Sequence, residues 1–175
     1  MLIGFMATGK STVGRLLAAR TGRTFVDLDA AVEAAAGTTV AEIFRERGEA
    51  GFRELESAAL TRALAQPNTV IATGGGAACR DDNLKAMLAA GFVVALSASP
   101  EEVLKRVGPV SGRPLLDGAA DPAAVALRLL AAREPFYARA HARLDTVGRS
   151  PESVAEAVLG ALAAHDRDLP EPTRP

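Results

Sequence analysis

Gly4-Phe5-Met6-Ala7-Thr8-Gly9-Lys10-Ser11 fits the pattern G-x-x-x-x-G-K-[ST] at every position. The spacing has a mechanical reason. Consecutive backbone N–H groups must wrap a phosphate, and glycines let that backbone close in. A helix beginning near Lys10 then aims its own N-terminal N–H groups at the same anion. Gly4, Ala7, Thr8, Gly9 and Thr12 form the wall of such a cradle, Lys10 reaches the outer phosphates, and the Ser11 hydroxyl is placed for Mg²⁺. The octet therefore reads as a nucleoside triphosphate site, with ATP the expected nucleotide. Apolar Leu2 and Ile3 precede it and the amphipathic run Val13, Leu16, Leu17 follows, which is the strand–loop–helix setting the motif requires.

Outward from the loop, short apolar runs alternate with longer helical patterns. The expected strands are Leu2-Ile3, Thr24-Phe25-Val26, Val70-Ile71-Ala72, residues 92–96 and Asp145-Thr146-Val147. They are apolar on both faces, as buried parallel strands are. Thr39…Glu42 and Ser99…Glu102 have capping-box spacing, and Ser150-Pro151 and Asp121-Pro122 are further cap-then-proline starts. The alternation predicts a parallel α/β sheet with helices on both faces, a three-layer α/β/α domain. The first strand is unusually short, or begins upstream of Met1.

Composition sets the outer limits. A chain of 175 residues, 49% hydrophobic and 23% charged, can bury one core. We expect one domain over residues 1–165 and a frayed, proline-containing tail over residues 166–175. Lys+Arg 20 against Asp+Glu 21 leaves a net charge of −1, which argues against a nucleic acid partner. One cysteine and two histidines exclude a disulfide framework and a Cys- or His-rich metal site. No apolar run approaches the roughly 18 residues of a membrane span, and no signal peptide is evident. A cytoplasmic monomer is the expectation. Lysine is rare beside arginine, so Lys10 inside the glycine loop gains weight.

The acceptor side is less specific. Asp27 and Asp29 lie just beyond a strand, at the sheet edge where α/β proteins bind ligands; period-two alternation lets both face one way if the chain stays extended. Asp27 is suited to hold Mg²⁺ through water. Asp29 either accepts a hydrogen bond from a substrate hydroxyl or caps a helix starting at Ala30. Gly74, Gly75 and Gly76 after the third strand either admit a ligand to the backbone or make a loose turn. Arg53, on a helix opening at Gly51, has Glu56 three residues on, either to orient its guanidinium towards a carboxylate or as a solvated pair. Cys79 and the pair Phe136-Tyr137 read as packing, and His141, on an expected helix, has no acidic partner at useful spacing.

Together these residues resemble shikimate kinase over nearly the full chain: GFMATGKST, the DLD pair, FRELE, the glycine triplet, RPLL at residues 113–116 and REPFY at residues 133–137. The resemblance implies the P-loop kinase fold, with five parallel strands in the order 2-3-1-4-5. It implies Mg²⁺-dependent transfer of the ATP γ-phosphate to the 3-hydroxyl of shikimate, on the route to aromatic amino acids. It assigns Asp29, Arg53, Gly75 and Arg133, with Gly74 and Gly76 beside them, to shikimate. Arg113 becomes the arginine of a lid over residues 109–118, Arg106 and Arg149 flank the adenine, and Asp27 lies near the metal. Lys10, Asp29 and Arg113 are the implied catalytic set. Ala7 stands where the family commonly has glycine, which is tolerable if the position does not need a positive φ. Rival expectations are a kinase for gluconate or a nucleoside monophosphate, and a non-catalytic sensing module that would have lost Lys10, Asp29 or Arg53.

Overall fold

The computed structural model describes residues 1–107, 115–116 and 119–168. Arg113 and the 109–118 lid, apart from Leu115 and Leu116, lie outside the described residues. Five parallel strands, β1 Leu2–Ile3, β2 Thr24–Asp27, β3 Thr69–Ala72, β4 Val94–Ser97 and β5 Ala142–Asp145, pair in the order β2-β3-β1-β4-β5. This is the order expected. Helices α1 Lys10–Thr21 and α7 Pro151–Asp168 cover one face; α2 Leu28–Ala36, α3 Val40–Leu64, α4 Asp81–Ala90, α5 Pro100–Val107 and α6 Pro122–Tyr137 lie on the other. Residues 166–168, assigned to the tail on composition, continue α7.

The layering follows from strand periodicity. Leu2, Val94 and Leu96 point into the core beneath α1 and α7 with Val13, Leu17 and Val158. Their neighbours Ile3, Val93 and Ala95 point the other way, among Leu28, Ile43, Leu60 and Met87. Only the three inner strands are buried on both faces. β2 and β5 are edges, and β5 alternates half-buried with exposed residues. That alternation explains a correction: the last strand is Ala142–Asp145, not residues 145–147, because Arg143 and Asp145 face outward and the sequence is not continuously apolar. His141 lies in the turn before β5, not on a helix. Its Nδ1 accepts the Val93 N–H at 3.0 Å, so β4 begins at Val94 and not at residue 92.

The expected caps form. Thr39 and Glu42 make a reciprocal capping box on α3, Asp121 accepts from the Ala124 N–H, and Ser150 from the Ser153 N–H. At α5 Ser99 accepts from the Glu102 N–H, while the Glu102 carboxylate turns to Arg106 instead. α3 breaks at Gly48 (φ 66, ψ −176), so the segment carrying Arg53 is re-aimed relative to the capped first turns. Among the described residues, no helix is long and apolar enough to cross a membrane.

Candidate active site at the C-terminal edge of the sheet

Parallel strands deliver all their C-terminal ends to one edge, and the phosphate loop, the DLD pair, the glycine triplet, Arg53 and Arg133 sit there. The loop after β1 closes on itself: Thr8 Oγ1 and Lys10 Nζ both donate to the Phe5 carbonyl, at 2.8 and 2.7 Å. Lys10 is 8% exposed, so its ammonium lies inside the cradle. The Ser11 hydroxyl donates to Asp27 Oδ2 at 2.6 Å, which brings together the two residues assigned to the metal. Two hard oxygen donors, with phosphates and waters to complete an octahedron, suit Mg²⁺.

Ala7 does not meet its sequence-level condition. Its φ is 61, in the left-handed region that an L side chain enters at a cost of about 1–2 kcal/mol. Ala7→Gly relieves that strain, partly offset by glycine's larger unfolded-state entropy. The expected net gain is about 0.5–1 kcal/mol, read as a higher urea midpoint at unchanged slope. A midpoint at or below that of the parent protein would show that the loop carries no strain.

The DLD pair is also built differently from the extended reading. The chain turns helical at Leu28, so it is Asp27 that caps α2, accepting the Asp29 N–H at 3.2 Å. Asp29 sits in the first turn, open to solvent along one side. Its pKa is raised, first by the protein packed around it and then by the like charge of Asp27; Lys10 and Arg53 pull it down.

Opposite, three more charged groups, Arg53, Glu56 and Arg133, gather around the glycine triplet. Arg53 donates from Nη1 to Glu56 Oε2 at 2.8 Å and from Nη2 to Glu49 Oε1 at 2.8 Å. Its side chain is 14% exposed and that of Glu56 0%. The ion pair is thus internal, not the solvated alternative. Burial pushes the Glu56 carboxyl pKa up against the pull of Arg53. Glu56 Oε1 has no protein hydrogen-bond partner. A buried lone acceptor is costly, and it marks a place for a donor from a ligand or water. Arg133, 7% exposed, lies with its guanidinium 5.6 Å from the centre of the Phe5 ring.

The three glycines make this crowding possible. A Cβ at Gly74 would lie 2.6 Å from Asp29 Oδ1 and 2.7 Å from Glu56 Oε1. At Gly75 it would lie 3.3 Å from Arg133 Nη1 and 3.4 Å from the Met6 nitrogen, and at Gly76 it would strike the Arg53 guanidinium. The triplet is therefore a packed spacer, not a loose turn, and it touches the phosphate loop through Gly75.

Three cavities run in a row along this edge. One of about 210 Å³ is lined by Thr8, Arg106, Thr146, Arg149 and Pro151. The next, about 320 Å³, holds Lys10, Ser11, Thr12, Asp27 and Asp29. The third, about 290 Å³, holds Arg53, Glu56 and Arg133. The first two share Ala7, Gly9 and Thr12; the last two share Met6, Asp29, Gly74 and Gly75. Arg106 is fixed by Thr146 Oγ1 and carbonyl at 2.9 and 3.0 Å, whereas Arg149 is exposed and bonds to Ser153. A larger cavity, about 630 Å³, lies at the opposite edge beside His141 and His165, away from every motif. Glu49, the lone oxygen of Glu56 and the Tyr137 hydroxyl, which donates to the Gly75 carbonyl at 2.5 Å, were not singled out from sequence. Only Glu49 had a local signal, its i,i+4 spacing to Arg53.

Comparison with known proteins agrees with this arrangement. A family model described as shikimate kinase matches residues 6–163. The shikimate kinase of Symbiobacterium thermophilum is 48% identical over 165 residues, 93% of this chain and 94% of that protein. That of Moorella thermoacetica is 46% identical, covering 94% of each. The shikimate kinase from Acinetobacter baumannii, solved in complex with shikimate, superposes with a TM-score of 0.90 at 35% identity, over 97% of this chain and 93% of that one. A gluconokinase from Sinorhizobium meliloti 1021, 19% identical at a TM-score of 0.57, shares the fold alone. With the phosphate loop, the strand order and the relatives all pointing the same way, the chain belongs to the shikimate kinase family.

Proposed function

We propose that this protein transfers the γ-phosphate of ATP to the 3-hydroxyl of shikimate, giving shikimate 3-phosphate and ADP in the synthesis of aromatic amino acids. The observation that carries the reading is the buried pairing of cations and carboxylates beside the phosphate loop. Arg53 and Arg133 suit a small carboxylate, Asp29 and the lone oxygen of Glu56 suit hydroxyls, and Gly75 joins this cavity to the loop. Adenine takes the cavity of Arg106 and Arg149 and the phosphates take residues 4–12. Ser11 and, through water, Asp27 would hold Mg²⁺, which would supply neutralisation of phosphate charge. Lys10 supplies the fixed cation on the transferred group. Arg113, assigned from the RPLL motif, closes over the phosphates. Residues 1–165 act as one catalytic domain, as a cytoplasmic monomer. The test is ADP release with shikimate, quinate, gluconate and AMP offered separately. Turnover with shikimate alone, or far above the others, is expected; none with shikimate would overturn the reading.

Asp29 sits on the wall shared by the phosphate and acceptor cavities, so it orients the attacking hydroxyl. Phosphoryl transfer through a loose transition state needs positioning more than proton abstraction. Asp29→Asn is expected to lower kcat more than it raises KM for shikimate. The pH dependence has a definite sign. With its pKa raised in the fold, Asp29 is a neutral acid below that value, so turnover falls as pH drops through it. Ionising Asp29 costs stability as pH rises through the same value, so the Asn variant should melt no lower than the parent protein at neutral pH. A large loss of Tm would instead make Asp29 a structural residue.

A further inference from the structure

We infer that Tyr137 is a positioning residue for the acceptor site: its hydroxyl holds the Gly75 carbonyl and fixes the backbone on which Arg53, Arg133 and the phosphate loop converge. The inference rests on the proposed acceptor but comes from a contact outside the charged cluster. Tyr137 ends α6, is 4% exposed, and donates to a carbonyl 62 positions away at 2.5 Å. A buried phenol could be satisfied anywhere along its surroundings. This one reaches the central residue of three successive glycines, the stretch of chain that loses most entropy on ordering. Cys79 offers the same carbonyl only a weak S–H contact at 3.9 Å.

Geometry ties the contact to binding. Arg133 lies one turn before Tyr137 on α6, so both side chains leave the same face. A Cβ at Gly75 would lie 3.3 Å from Arg133 Nη1 and 3.4 Å from the Met6 nitrogen of the phosphate loop. Holding the Gly75 carbonyl fixes the peptide to Gly76, and Gly76 packs against the Arg53 guanidinium. One hydroxyl thereby sets the spacing between two arginines carried by different helices. Burial pushes the phenol pKa well above its usual value, so the hydroxyl stays a donor throughout the working pH range.

Tyr137→Phe keeps the ring and deletes the donor. KM for shikimate should rise about five- to tenfold while Kd for ATP stays within about twofold, the scale of one lost hydrogen bond. In ligand-free protein, amide exchange at Gly76 and Ala77 should quicken. The exchange needs no substrate, so it judges the anchor even if the parent protein fails to phosphorylate shikimate, an outcome that would sink the proposed function and leave this contact to stand or fall by itself. Unchanged exchange at Gly76 and Ala77 would overturn the proposal. So would an unchanged KM for shikimate in an active enzyme, or equal losses for both ligands with a lowered Tm, which is the signature of plain destabilisation.

Discussion

Lys10→Ala should lose at least about a hundred- to a thousandfold in kcat, the range seen when one preorganised donor to a developing charge is removed, with the fold intact. On the proposed function, Lys10 is the second reason, after the backbone cradle, for an anion to bind at this edge. Its ammonium is enclosed at 8% exposure and sits 2.7 Å from the Phe5 carbonyl. A cation already held at the loop needs little reorganisation during reaction. The fold should survive because alanine is the best helix former at the first position of α1. The loop also keeps its Thr8 to Phe5 bond. ATP binding should weaken less than turnover, since backbone N–H groups and the α1 N-terminus still contact the phosphates. Circular dichroism and ADP release check both parts; a folded variant turning over at the parent rate would remove the kinase reading.

The phosphate loop was legible because its chemistry is local: eight consecutive residues carry backbone geometry, cation and hydroxyl together. The inner strands were legible for a related reason, burial on both faces leaving continuous apolar runs. β5 was not, because an edge strand alternates and its outward Arg143 and Asp145 disguise it. The roles of Asp27 and Asp29 as cap and pocket residue could not be separated, since that turned on where extended chain becomes helix. Glu56 had the right spacing to Arg53, but its complete burial and lone oxygen follow from α3 meeting the triplet after β3. Tyr137 lacked any local cue, because its partner lies 62 residues away. The condition placed on Ala7 failed on one dihedral angle, which no residue pattern specifies when the usual glycine is missing.

Arg53→Ala should damage binding and stability together, and the double variant Arg53→Ala/Glu56→Gln should separate them. On the proposed function, loss of Arg53 removes a charge-assisted contact to the shikimate carboxylate, about 1.5–3 kcal/mol or roughly ten- to a hundredfold in affinity. It also strips Glu56, fully buried with Oε1 already lacking a protein partner, of the guanidinium that offsets its desolvation. Breaking such a pair from one side costs about 3–5 kcal/mol, far more than deleting both charges. Burial already raises the Glu56 pKa and loss of the guanidinium raises it further, so the single variant should lose stability as pH rises through that raised value. Glutamine is neutral at every pH and carries its own donor, so the double variant should recover most of the Tm without the pH dependence. Shikimate KM should stay high in both, and ATP affinity should be near the parent value in both. Arg133→Lys is the companion: it keeps the charge near Gly75 but cannot make a planar two-pronged contact, so affinity should fall nearly as far as in Arg133→Ala. If the double variant regained shikimate affinity along with stability, Arg53 would be a structural residue and the carboxylate would bind elsewhere.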